Sequence, residues 1–247
     1  MDRVRMGAML PRRAIRGNRA RAPMSRPTPL PLLRRLHVQL AWIVGVPVLF
    51  WTASGLWMVA RPIEEVRGTA LRAEARALPP LERLVAPQGR PLRALSLEAQ
   101  GGRTIWLATL ASGEAGRADP STGRWLPPVG EREARALAAD ALARPPAITS
   151  ATLTPADRPP VDLRRPRPAW GVAFADGARV YIDADTGQVL ALRTRQWRLF
   201  DWMWGLHIMD LSGREDTSHP LLIGSAALAL VVTLIGLVLL PFTRRRR

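Results

Sequence analysis

The chain has 247 residues, a formal net charge of +16 and no cysteine, which excludes disulfides, thiolate zinc sites and thiol catalysis. All 36 basic residues are arginine. Residues 1–35 hold ten arginines against one aspartate, and residues 244–247 are RRRR, so only +3 remains for everything between. Each cluster borders a long apolar run, the positive-inside pattern of a membrane protein, and no recognition motif points to nucleic acid.

In chain order, residues 1–23 read as disordered arginine-rich sequence, with Met24 a candidate start. Residues 1–35 as a whole form a basic cytoplasmic tail. Residues 36–60, LHVQLAWIVGVPVLFWTASGLWMVA, carry no formal charge and are long enough to cross about 30 Å of hydrocarbon as a helix. Pro47 is a candidate kink. The competing reading, a cleaved signal peptide, needs an apolar stretch of about 7–15 residues and a small-residue cleavage site; this run is longer and ends in WMVARP. The second run, residues 221–240, is almost purely aliphatic, and a second span is expected over 220–243. Arginines outside both runs put the two termini in the cytoplasm and the centre of the chain in the periplasm, a multi-pass bacterial inner-membrane topology.

The outer domain is expected over residues 61–195. Within it, IWLATLASGEAGRADPSTGRWL (105–126) and AWGVAFADGARVYIDADTGQVL (169–190) align without a gap at an offset of 64. Seven positions are identical, among them Trp106/Trp170, Gly113/Gly177, Asp119/Asp183 and Gly123/Gly187. The unit reads as a β-meander: alternating Trp170, Val172 and Phe174 form a half-buried strand, ADG a tight turn, ARVYID a return strand, DTG a second turn, and QVLAL a third strand. GEREARALAADALA, residues 130–143, reads as a helix between the copies. Residues 154–168 hold five prolines and read as a connector outside the core.

A helix followed by strand, turn, strand and then VYIDADTGQVL resembles the PepSY domain, and the flanking apolar segments resemble PepSY-associated transmembrane helices; together the likeness covers residues 30–243. The fold class it implies is α+β and membrane-anchored, with two transmembrane helices flanking a periplasmic PepSY-like domain of two β-meander units and an intervening helix. Larger members of this group include ferric-siderophore reductases that bind haem through histidines at span ends. The dipeptide LH recurs here as Leu36-His37 and Leu206-His207.

The candidate cofactor ligands are therefore His37, His207 and His219, with haem the implied cofactor. His37 lies at the inner end of its span, and the other two precede the outer end of theirs. One protomer cannot clamp a single haem between levels about 30 Å apart. Three arrangements remain: His207 with His219, equivalent histidines of two protomers, or a ligand from a longer partner. Residues 196–219 carry Trp197, Trp202 and Trp204, with Arg198 and Asp201 three apart on one face, and read as an interfacial amphipathic segment. Asp183 and Asp185 read as turn residues rather than a carboxylate pair. Gly45, Ser54, Gly55, Gly224, Ser225 and Gly236 read as small residues for close helix packing.

Two functions follow as expectations. One is haem-linked electron transfer assisting periplasmic ferric-siderophore or iron reduction. The other is a non-catalytic, protein-binding or regulatory module like the PepSY segments of protease propeptides. An intrinsic catalytic site is not expected. The partners expected are the lipid bilayer, a second copy of the chain or another membrane or periplasmic protein, and no nucleic acid.

Overall fold

A computed structural model describes residues 29–243; the expected disorder of 1–23, the start at Met24 and the tail at 244–247 lie outside these. The chain is α+β. Two long apolar helices, α1 (Leu30–Val59) and α5 (Pro220–Thr243), are each long and apolar enough to cross a membrane. Pro31 opens α1 at a position where no intrahelical N–H is required. The two helices run antiparallel: His37 of α1 meets Gly236 of α5, while Pro47, Val48 and Trp51 meet Leu222, Ser225 and Ala229. The start of α1 and the end of α5 therefore lie together.

Beyond α1, the short helix α2 (Ile63–Arg67) stops at Gly68, whose φ of 64° is the left-handed cap geometry that glycine tolerates. Two antiparallel sheets follow. The first contains β1 (Leu92–Gln100), β2 (Arg103–Leu110) and β3 (Ala115–Ala118); the second contains β4 (Ile148–Thr154), β5 (Ala169–Phe174), β6 (Arg179–Asp183) and β7 (Val189–Arg193), each in sequential order. Between the sheets in sequence lies α3 (Glu131–Asp140). Its Ala134, Leu137 and Ala138 pack on Val172, Val180 and Ile182 to form the main core. The next helix, α4 (Arg195–His207), leaves β7 directly, and its N-cap Thr194 accepts a hydrogen bond from the Trp197 amide at 2.9 Å.

The duplication is visible bond by bond. Gly113 donates to the Leu110 carbonyl, as Gly177 does to that of Phe174. Gly123 donates to the Asp119 carbonyl, as Gly187 does to that of Asp183, and both glycines have φ of 70°. The Asp119 carboxylate accepts from the amides of Ser121 and Thr122, and Asp183 from those of Asp185 and Thr186. Trp106 donates from Nε1 to the Val85 carbonyl, and Trp170 to that of Val129. The amides of Val85 and Val129 are in turn bound to Pro120 and Ala184, again 64 apart. The copies differ in one respect. Seven positions lead from Val85 to β1, nineteen lead from Val129 to β4, and α3 fills the difference. The first sheet has no helix of its own. It reaches α3 through Arg117, which is 2% exposed and forms a two-pronged pair with Glu133, both contacts at 2.7 Å.

Three expectations are corrected. The third strand of the first copy reduces to one bridge between Ala118 and Trp125. The alternating strand β5 is covered on both faces, not one: Ala169, Gly171, Val172 and Phe174 are all buried. The second cover is the proline-rich connector itself, whose Leu163 is 1% exposed against Ala169, Tyr181 and Ala191. The connector is irregular because proline forbids a ladder or a helix there, yet it belongs to the core. Strands β1 and β4 have no counterpart in the sequence expectations; their burial patterns lack strict alternation.

Candidate functional site

Helix α4 does not lie apart from the apolar helices. It packs along α1, with Phe200 against Trp57 (ring centroids 6.3 Å apart) and His207 against Trp51 (5.5 Å). A carboxylate clasp ties it to the connector and to the loop that follows it. Asp201, 5% exposed, accepts from Arg164 Nη2 at 2.7 Å and from Arg214 Nη1 at 2.9 Å. Arg198, on the same face of the helix, donates to the carbonyls of Gly177 and Arg193, tying α4 to the second sheet. Three positions of spacing put Arg198 and Asp201 on one helix face, but two better-placed arginines from flanking loops take the carboxylate.

This clasp delivers His207 to a notch in α1. A side chain added at Gly55 would meet the imidazole Cε1 at 3.0 Å, so glycine lets the ring sit where any larger residue would push it back. His207 Nδ1 lies 3.0 Å from the Trp51 carbonyl and 3.2 Å from Ser54 Oγ. A carbonyl can only accept, so Nδ1 carries the proton. The Ser54 hydroxyl is already within 2.7 Å of the Phe50 carbonyl and 3.0 Å of that of Trp51. It therefore spends its hydrogen on its own helix and offers a lone pair to the imidazole. In the neutral tautomer this leaves Nε2 bare, and Nε2 has no hydrogen-bond partner among the described residues. An N–H to a backbone carbonyl on one ring nitrogen is the arrangement that orients a histidine to ligate through the other. Trp204 stacks at 6.4 Å on the ring.

The other two candidates are placed differently. His219 precedes α5: its carbonyl accepts from the amides of Leu222 and Ile223, and its Nδ1 accepts from that of Leu221 at 3.3 Å. The proton of the neutral ring is then on Nε2, so His219 serves as a helix cap with no bare nitrogen. His37 lies against Gly236 at the far end of the helix pair, with Nδ1 buried and without a partner. Along α1 it is seventeen residues from Ser54, about 26 Å at 1.5 Å per residue. No hydrogen bond or ring contact joins any two of the three histidines, and no cluster of three or more His, Cys, Asp or Glu able to hold a metal ion occurs among the described residues. A haem iron therefore finds at most one pre-oriented histidine in each copy, His207.

Ser54, Trp51 and Gly55 are the residues that sequence reasoning missed in these roles. Ser54 and Gly55 had been read as packing residues; Gly55 and Gly236 make room for imidazoles instead, whereas Gly45 and Gly224 face open space. Among the carboxylates, Asp183 is 1% exposed, caps its turn and pairs with Arg167. Burial, then the neighbouring Asp183, raises the Asp185 carboxyl above its ordinary range. No family model, no curated protein and no solved structure matches the chain.

Proposed function

We propose that this chain is a PepSY-like inner-membrane protein, with both termini cytoplasmic and the two-sheet domain periplasmic, that carries a haem on His207 and passes electrons toward ferric iron at the outer face. The observation that carries this reading is the His207 ring: proton on Nδ1 against the Trp51 carbonyl, Nε2 bare. The group would supply one-electron chemistry. The protein's own residues would orient the imidazole (Trp51, Ser54), make room for it (Gly55) and hold α4 in place (Asp201, Arg164, Arg214). A second ligand would come from a second copy or a partner. The test is the visible spectrum of the full chain expressed with haem supplementation and purified in mild detergent. A Soret band lost in His207→Ala and kept in His37→Ala and His219→Ala is expected; no band, or a band indifferent to His207→Ala, sinks the reading.

A second reading has its own observation. Strand β4, ITSATLT, is an edge of the second sheet, uncharged, free of proline and mostly exposed. Edges of that composition lack the devices that repel added strands. The domain would then hold an extended segment of another protein, as a non-catalytic module. Placing a charged residue on that edge, Thr152→Arg, would abolish capture of a cross-linked partner under this reading and leave the spectrum untouched.

A further inference from the structure

At the end of the helix pair opposite His207, α1 and α5 part to leave an open cleft of about 850 Å³. Its walls are apolar, with Val38, Leu239 and Phe242 among them, and Arg34, Arg35 and His37 line it as well. Both arginines are exposed, and neither forms an ion pair among the described residues. The His37 Nδ1 is buried and has no partner there. The sequence offers nothing acidic to meet these charges: no Asp or Glu stands between Asp2 and Glu64, and none follows Asp216. Elsewhere the protein pairs its inward arginines, as Arg117 with Glu133 and Arg164 with Asp201 show.

We infer that this cleft binds an anionic phospholipid, its phosphate met by Arg34, Arg35 and His37 and an acyl chain laid along the apolar walls. The inference rests on the membrane reading above but not on haem. A cleft that joins unpaired guanidinium groups to an apolar surface between two spanning helices matches a molecule with one anionic end and one apolar end. Phosphatidylcholine presents the same acyl chains with a zwitterionic headgroup. Free phosphate presents the charge without the chain.

The test uses the full chain extracted in mild detergent and exposed to equal amounts of dioleoylphosphatidylglycerol and dioleoylphosphatidylcholine, with retained lipid counted by native mass spectrometry. Retention of the phosphatidylglycerol over the phosphatidylcholine by about tenfold is expected. R34Q/R35Q should abolish the preference. Gly236→Leu, which fills the cleft and displaces the His37 ring but leaves both arginines in place, should lower retention of both lipids; Arg61→Gln, at the other end of α1, should change nothing. Equal retention of the two lipids overturns the inference. So does a preference that survives R34Q/R35Q and Gly236→Leu, which would assign it to diffuse charge. Displacement of the lipid by excess inorganic phosphate would make the site one for a free anion and overturn it too. A chain that needs no detergent to leave the membrane fraction would sink the membrane reading itself, whereas a membrane-bound chain without headgroup preference sinks only this site.

Discussion

The imidazole of His207 occupies the space that a side chain on Gly55 would fill, its Cε1 3.0 Å and its Nδ1 3.4 Å from where a Cβ would sit. The contact joins the last residue of α4 to the C-terminal third of α1. Gly55→Leu should therefore expel the ring and break its bond to the Trp51 carbonyl. A destabilisation of about 1–3 kcal/mol is expected for such overpacking, together with loss of any His207-dependent Soret band. Gly45→Leu, on the same helix but facing open space, is the control and should be close to neutral. Thermal unfolding in detergent, followed by tryptophan fluorescence, distinguishes the two; equal effects would mean that the notch at Gly55 has no special role.

Ser54→Ala should keep His207 in place, because the Trp51 carbonyl still accepts from Nδ1. It removes the second acceptor at 3.2 Å and so loosens the orientation of the ring. If His207 ligates haem, affinity should fall by about tenfold while the fold persists. An unchanged affinity, read by haem titration, would leave Ser54 as a helix-bonded serine only.

The Asp201 clasp makes a stability prediction. Asp201→Ala would strand Arg164 and Arg214 around an empty position, with side chains 17% and 24% exposed. Removing one member of a buried ionic cluster costs about 3 kcal/mol. Because the clasp joins α4 to the connector and to the 210–216 loop, limited proteolysis should open α4 before either sheet. Cleavage that begins within the sheets would contradict this order.

The protein has a single tyrosine, so its ionisation can be read without overlap. Tyr181 is buried, and its hydroxyl donates to Asp162 at 2.6 Å. Burial and then this hydrogen bond push it up to about 12. The folded state thus holds the phenolic proton longer than the unfolded state, whose value is about 10. The stability it contributes is complete below pH 10 and is lost as pH rises from 10 toward 12. Tyrosinate absorbance should show a midpoint near 12 in the native protein and near 10 in guanidinium; a native midpoint near 10 would place the hydroxyl in water.

On the acid side, the Arg117 guanidinium holds the Glu133 carboxyl below its ordinary range. The amide of Gly213, with those of Asp216 and Glu215 and the Ser212 hydroxyl, does the same for Asp210. Depressed carboxylates contribute stability that is present above their unfolded values, near 4, and is lost as pH falls through the folded ones. Glu133→Gln should therefore flatten the acid limb of the stability curve and lower stability at pH 7, since Arg117 remains buried without a counter-ion. An acid limb as steep as the wild type's would exclude Glu133 from it.

Much of the secondary structure was legible in the residues, because it rests on local signals. An uncharged run of 25 residues, aspartate and glycine at fixed turn positions, and alanine and leucine at helical spacing each state their element without reference to the rest of the chain. The equivalence of Trp106 and Trp170 was legible for the same reason, and it survives as the same hydrogen bond made twice. The proline-rich connector misled because composition reports what a segment cannot form, not whether it is covered. Leu163 looks like any loop leucine until Tyr181 is seen beneath it.

The candidate site divides in the same way. The sequence by itself determined that the chain has two apolar helices, a duplicated strand-turn-strand unit and three histidines near the ends of the apolar runs. Only the tertiary structure decided which histidine is oriented by a hydrogen bond on one nitrogen with the other left to spare. That choice turns on a contact between residues 153 positions apart, Ser54 and His207, and on a clasp whose arginines come from two separate loops. Periodicity and turn chemistry carry information over a few residues; the protonation of an imidazole is set by whatever the whole fold brings within 3 Å of it.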